Sequence, residues 1–191
     1  MDHCASNRWK GLVLGMLGGV AGTAAMGYYW QAVTALTGED PRTKTSEGGP
    51  HALDSISLVG TQHEADESST AAVGRVGYES LVGEEPGSDG TKSTLSTLVH
   101  WSHGTLMGGA YGALRGAAGV PDLRGGLVFG AALWLFGDEL SVALLGLAEG
   151  PTKFPPEQHV HRLGSHLTYG TTVAATTQVL QRAFGVRGME A

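Results

Sequence analysis

Charged residues are missing from long stretches of this chain and gathered in the stretches between. No Asp, Glu, Lys or Arg occurs from Gly11 to Gly38, from Ser93 to Leu114, from Gly125 to Gly137, from Leu140 to Ala148, or from Leu163 to Gln181. The third and fourth runs are parted only by Asp138 and Glu139. A helix of about 20 mainly apolar residues crosses the hydrocarbon core of a bilayer. The pattern therefore predicts spans over 11–36, 94–115, 125–148 and 162–183, the last being Thr-rich (Thr168, Thr171, Thr172, Thr176, Thr177). Soluble helices keep a charged face, and these segments keep none. The predicted fold class is all-α, an integral membrane bundle of four transmembrane helices with a long external loop between the first and second.

The loops set an orientation. Arg8 and Lys10 precede the first span, Arg115 and Arg124 bracket the loop between the second and third, and Arg182 and Arg187 follow the fourth. Basic short loops stay in the cytoplasm, so both termini are expected there: 1–10 as the cytoplasmic N-terminus and 184–191 as the tail. Thr23-Ala-Ala25 resembles a signal-peptide cleavage site. The apolar run continues past it through Tyr28, Tyr29 and Trp30, which predicts an uncleaved helix. The segments 37–93 and 149–161 then lie outside. In 37–93 acidic residues outnumber Arg42, Lys44, Arg75 and Lys92; its start, GEDPRTKTSEGGP, is turn-rich. From Glu67 to Val82, Ala72, Val73, Val76, Leu81 and Val82 recur with helical spacing beside Tyr78, which predicts a short amphipathic helix on the membrane surface or capping the bundle.

Composition narrows the picture further. The chain has 191 residues, suited to one domain, with 31 glycines and 16% charged residues. Its net charge of −6 gives no basic footprint for nucleic acid. The single cysteine, Cys4, excludes an intrachain disulfide framework and a multi-cysteine zinc site. Many of the glycines recur every fourth position: Gly11, Gly15 and Gly19 with Gly18 and Gly22 in the first span, Gly108, Gly112 and Gly116 in the second, Gly126 and Gly130 in the third. In lipid such rows let helix backbones approach closely. No predicted strand precedes them, which excludes a dinucleotide-binding loop.

The candidate chemistry is a set of ionisable groups inside the spans. His100 and His103 stand three apart on one helical face, Asp138 and Glu139 interrupt the third span, and His166 opens the fourth. At 1.5 Å rise per residue His100 and His103 fall about 10–15 Å below the outer surface, Glu139 about 14 Å and His166 about 6 Å. Neighbours on a helix diverge by about 100°, so only one of Asp138 and Glu139 faces the bundle squarely; the face of Glu139 continues through Leu135, Val142 and Ala143. His159 and His161 lie just outside, beside Pro155 and Pro156, where a solvated loop histidine is the ordinary case. Imidazoles and carboxylates together suit a transition metal ion, a proton relay, or mutual hydrogen bonding that fixes helix register. No GxSxG motif surrounds Ser102, Ser141 or Ser165, so a hydrolase triad has no support. Trp101, Tyr111, Trp134 and Tyr169 suit packing between helices or anchoring at the interfaces.

The stretch GLVFGAALWLFGDELSVALLGL followed by PTKFPPEQHVHRLGSHLTYG, with VHWSHGTLMGGAYG before it, resembles the YagU-like family of bacterial inner-membrane proteins. The matching positions are Asp138, Glu139, Leu145, Gly146, Leu147, Pro155, His159 and His166, with His100 or His103 as a further counterpart. The resemblance covers roughly 95–183 and implies an inner-membrane location without implying an activity. The family often carries proline at the position of Ala143, so the kink that proline would cause is not expected here.

Two functional expectations follow. One is a small integral membrane protein whose His/Asp/Glu cluster, toward the outer leaflet, binds a metal or carries protons. The other is an accessory or structural subunit whose glycine faces pack against a homo-oligomer or a larger membrane complex. An enzyme is the least supported class.

Overall fold

The structure, a computed structural model, describes residues 2–44, 53–118 and 122–184, with side chains from Arg8 onward and, at the end of the third helix, as far as Arg115. The tail beyond Phe184, with Arg187, and the end of the turn-rich stretch after Lys44 lie outside the described residues, as does the side chain of Cys4. The described residues are all-helical and contain no strand. Helix α1 is Asp2–Thr37, α2 Ser69–Val82, and α3 Asp89–Ala118. Helix α4, Leu123–Leu144, comes in three pieces: α-helical Leu123–Ala132, π-helical Leu133–Ser141 and a last α-turn Val142–Leu144. Helix α5 is Pro156–Ala183, and short 3₁₀ turns occupy Pro41–Thr43 and Pro151–Lys153.

The helix ends follow local chemistry. Ser68 caps α2 by accepting from the Ala71 amide, and Gly83, at φ 83°, closes it in the left-handed conformation that glycine takes without steric cost. Asp122 caps α4 through the Gly125 amide. Proline opens α5, where its missing N–H costs no hydrogen bond. That start carries the helix six residues further back than the predicted span and draws His159 and His161 into it.

Two of the described helices are long and apolar enough to cross a membrane: α1 over Arg8–Thr37, and α4 over its 22 residues Leu123–Leu144. Cα packing divides the chain into two units. The first comprises Met1–Asp40, His103–Leu133 and His161–Ala191; the second comprises Pro41–Ser102 and Trp134–Val160.

The glycine rows organise the first unit. A methyl group built on Gly15 would meet the backbone of Gly108 and Gly112, and one on Gly108 would meet the backbone of Gly15 and Gly19. Gly126 and Gly130 lie in the same way against the backbone of Gly170 and His166. Backbones this close leave no room for a side chain, which is the condition for helix association in lipid. Around these seams Met26, Trp30, Tyr111, Tyr169, Val173 and Ala174 form a buried core, and the Tyr169 hydroxyl donates to the Gly104 carbonyl at 2.6 Å.

The second unit is tied by polar contacts. The Gln158 side chain, fully buried, donates to the carbonyls of Pro41 (2.9 Å) and Lys44 (3.3 Å). The segment Leu53–His63 lies along the end of α4 as a strap. The Leu58 amide donates to the Leu144 carbonyl at 2.9 Å, and the amides of Gln62 and His63 donate to the Gly146 carbonyl at 2.8 and 3.0 Å. The Gly150 amide donates to the Asp54 carbonyl at 2.8 Å. Gly146 sits at φ 68°, and a methyl group built on it would meet the Gly60 carbonyl, so both its backbone and its surroundings require glycine.

Candidate functional site

The π-helical stretch of α4 places the central pair of groups. A π-helix bonds i to i+5, so residues five apart come to one face. Trp134 and Glu139 are five apart, and the indole Nε1–H donates to Glu139 Oε1 at 3.0 Å. The Ser141 hydroxyl likewise donates to the Phe136 carbonyl, five residues back. Glu139 is 7% exposed, whereas its neighbour Asp138 is half-buried.

The same Glu139 oxygen lies 2.8 Å from Nδ1 of His159, in the first turns of α5. The other ring nitrogen of His159, Nε2, lies 3.0 Å from the Pro151 carbonyl, and the Phe154 ring meets the imidazole edge-on at a centroid distance of 6.3 Å. A carbonyl can only accept, so Nε2 carries a hydrogen. The remaining proton then belongs to Nδ1 and Oε1 jointly. The pair is either imidazolium with carboxylate or imidazole with carboxylic acid, and both forms contain one proton between the two groups.

The other sequence candidates are distributed as follows. His100 is half-buried on the part of α3 that belongs to the second unit. His103 is exposed and belongs to the first unit, as do His161 and His166. His166 Nδ1 lies 2.9 Å from the Arg162 carbonyl of its own helix and so carries the hydrogen there. His161 Nδ1 is 3.2 Å from the Tyr29 hydroxyl, and the imidazole ring tilts against both Tyr29 and Trp30. Among the described residues no three His, Cys, Asp or Glu side chains converge as a metal ion would require. The glycines Gly15, Gly19, Gly108, Gly112, Gly126 and Gly130 all serve the seams of the first unit.

One polar centre was not foreseen from the sequence. Arg75 of α2 is 8% exposed and grips Glu67 with two nitrogens, Nε to Oε1 at 3.1 Å and Nη2 to Oε2 at 2.9 Å. Its Nη1 reaches Glu79 at 3.1 Å, Nη2 also donates to the Gln62 carbonyl, and Glu64, 3.6 Å from Nε, is held in turn by Lys92. Hydrogen bonding to Glu67 leads the effects that push the Arg75 guanidinium up, well above its ordinary value. For Glu67 burial is the largest effect and pushes upward. The hydrogen bonds from Arg75 and the Glu64 amide, with the charges of Arg75 and Lys92, outweigh it and hold the carboxyl below its usual value. The sequence signal was the Arg75–Glu79 spacing of four; the eight-residue reach back to Glu67 carries no periodic mark.

Beside the strap a small open hollow of about 90 Å³ is lined by Asp54, Ser57, Thr61, His63, Gly146 and Glu149, among others. His63 Nδ1 lies 2.9 Å from the Gly146 carbonyl and Nε2 lies 3.6 Å from Glu149, while the Thr152 hydroxyl donates to Asp54 at 2.6 Å.

Compared with protein-family models, with curated proteins and with solved structures, the chain matches none.

Proposed function

We propose that this is a small integral membrane protein of four spans, with both termini cytoplasmic, in which Glu139 and His159 form a proton-exchanging pair toward the outer leaflet. The observation that carries the reading is a buried carboxylate in an otherwise apolar helix, bound by one indole N–H and one imidazole. An ionisable group that costs several kcal/mol to place among apolar surroundings is kept where it has a function or a dedicated partner. Here the partner is itself a proton carrier.

The membrane part of the reading rests on α4. Only 17% of its most apolar window is covered by the rest of the chain. Leu127, Val128, Leu135 and Phe136 remain exposed. In water such a face is a liability, and in hydrocarbon it is matched to its solvent. Helices α3 and α5 are less apolar, yet the charge-free stretches from Ser93 and from Leu163 fall within them, and Leu98, Leu106, Leu114 and Val179 are exposed along them. The resemblance of 95–183 to the YagU-like family supports a bacterial inner membrane as the location.

Proton exchange is favoured over metal binding because two groups meet at the site and a stable metal centre needs more ligands than that. It is favoured over an accessory role because the glycine faces such a role would offer to a partner are filled within the first unit. The test is acid-minus-neutral infrared difference spectroscopy on protein in mild detergent, with elemental analysis alongside. A carboxyl band that appears on acidification and vanishes in Glu139→Gln is expected. Spectra with no Glu139-dependent band overturn the reading. Near-stoichiometric metal lost in Glu139→Gln would replace it with a metal site.

A further inference from the structure

We infer that Glu139 is the latch that holds α4 in its π-helical register, and that the register in turn holds the strap Leu53–His63 on the end of α4. The inference rests on the proposed pair as the resident group at this position, and it names what that pair controls.

A π segment is an α-helix carrying an extra residue, and it persists only where something outside the helix backbone favours it. Glu139 supplies this twice. Its carboxylate accepts the Trp134 N–H across five residues, a side-chain contact that π geometry brings to one face. The same carboxylate is pinned to His159, which is fixed by the Pro151 carbonyl. Without the carboxylate, the ordinary i to i+4 ladder is the better-bonded alternative for the segment Leu133–Ser141.

Such a change is not local. Absorbing the extra residue turns everything after it by about 100° and advances it about 1.5 Å. The groups after it are the carbonyls of Leu144 and Gly146, which receive the amides of Leu58, Gln62 and His63. Those bonds have lengths of 2.8 to 3.0 Å and cannot follow a rotation of that size. The external strap therefore reads the state of a carboxylate buried in α4. Glu139, Trp134, His159 and the strap all belong to the second unit.

Residue-resolved amide hydrogen exchange on the full chain in detergent tests this, comparing wild type with Glu139→Leu. Losing a buried hydrogen bond to a charged group corresponds to roughly ten- to hundredfold. Exchange at Leu58, Gln62 and His63 should quicken by at least about tenfold on that scale, while the core amides of α1 and of α5 near Val173 keep their protection. Unchanged protection at all three strap amides, with the variant folded, overturns the latch. Should Glu139→Leu lose core protection as well, Trp134→Phe decides, since it removes only the indole donor. Faster strap exchange with an intact core supports the latch, and unaltered strap exchange overturns it. The result is independent of whether Glu139 shows an infrared titration, so failure of the proton reading and failure of the latch are told apart.

Discussion

Replacing Gly108 with alanine adds one methyl group at the seam between α1 and α3, and the surroundings fix what it meets. The new carbon would lie 2.5 Å from the Gly15 carbonyl oxygen and from Gly19 Cα, and 2.6 Å from the Gly19 nitrogen. All three are backbone atoms, so no side chain can rotate aside. Ordinary contact begins at 3.4 Å, so the helices must separate by about 1 Å, the shortfall between the two distances. Overpacking of this kind costs about 1–3 kcal/mol, and a clash made wholly with backbone belongs at about 2–3 kcal/mol. At Gly27, on the opposing helix α1, a methyl group meets nothing within 4 Å. There alanine gains about 0.5–1 kcal/mol from the lower backbone freedom it loses on folding. The two substitutions should therefore differ in sign. Reversible unfolding in mixed micelles, followed by far-ultraviolet circular dichroism, measures both. The double variant Gly15→Ala/Gly108→Ala should cost less than the two singles together, because the first separation makes room for the second methyl. A Gly108→Ala protein as stable as Gly27→Ala would refute the seam.

Two further substitutions probe the second unit. Glu67→Gln should remove about 3 kcal/mol by leaving Arg75 half-paired in a buried site. Because the folded-state value of Glu67 is depressed, its contribution is full above the unfolded value and is lost as pH falls through the folded one, so exchange protection of α2 should weaken on acidification in wild type and change less in Glu67→Gln. Gly146→Ala should loosen the strap by about 1–2 kcal/mol, through the left-handed strain alone and before any clash with Gly60, read as faster exchange at Gln62 and His63.

The helices were legible because charge leaves a plain mark: the runs from Ser93, Gly125 and Leu163 fall within described helices, the first run outlasts α1 by only Gly38, and the amphipathic stretch from Glu67 to Val82 became α2, whereas the run Leu140–Ala148 outlasts α4, which ends at Leu144. The π segment left no such mark. Its cause is a contact five residues long, Trp134 to Glu139, backed by a histidine from another helix, and apolar periodicity does not record either. Glu139 and His159 were both candidates, but for different places. The expectation of a loop for His159 failed to anticipate a helix opening at Pro156, which carries the imidazole to the carboxylate. The depth estimate grouped His103 and His166 with Glu139 by height alone; the former is exposed and the latter bonds its own helix. Arg75 shows the complementary limit. Its sequence neighbourhood reads as an amphipathic helix within an acidic segment, and only tertiary packing turns it into a buried ion.

The strap and its target stand far apart in the chain: His63 bonds the carbonyl of Gly146 across 83 residues. A ribosome adding about 5–20 residues each second takes about 4–17 s to supply that acceptor after the strap has been made. Through that interval the amides of Leu58, Gln62 and His63 lack the carbonyls of Leu144 and Gly146 that receive them in the folded chain. A product truncated before Leu144 would keep α1, α2 and α3 yet never acquire the strap's docking place. Surveillance that senses an undocked strap would in effect be checking that α4 has been completed.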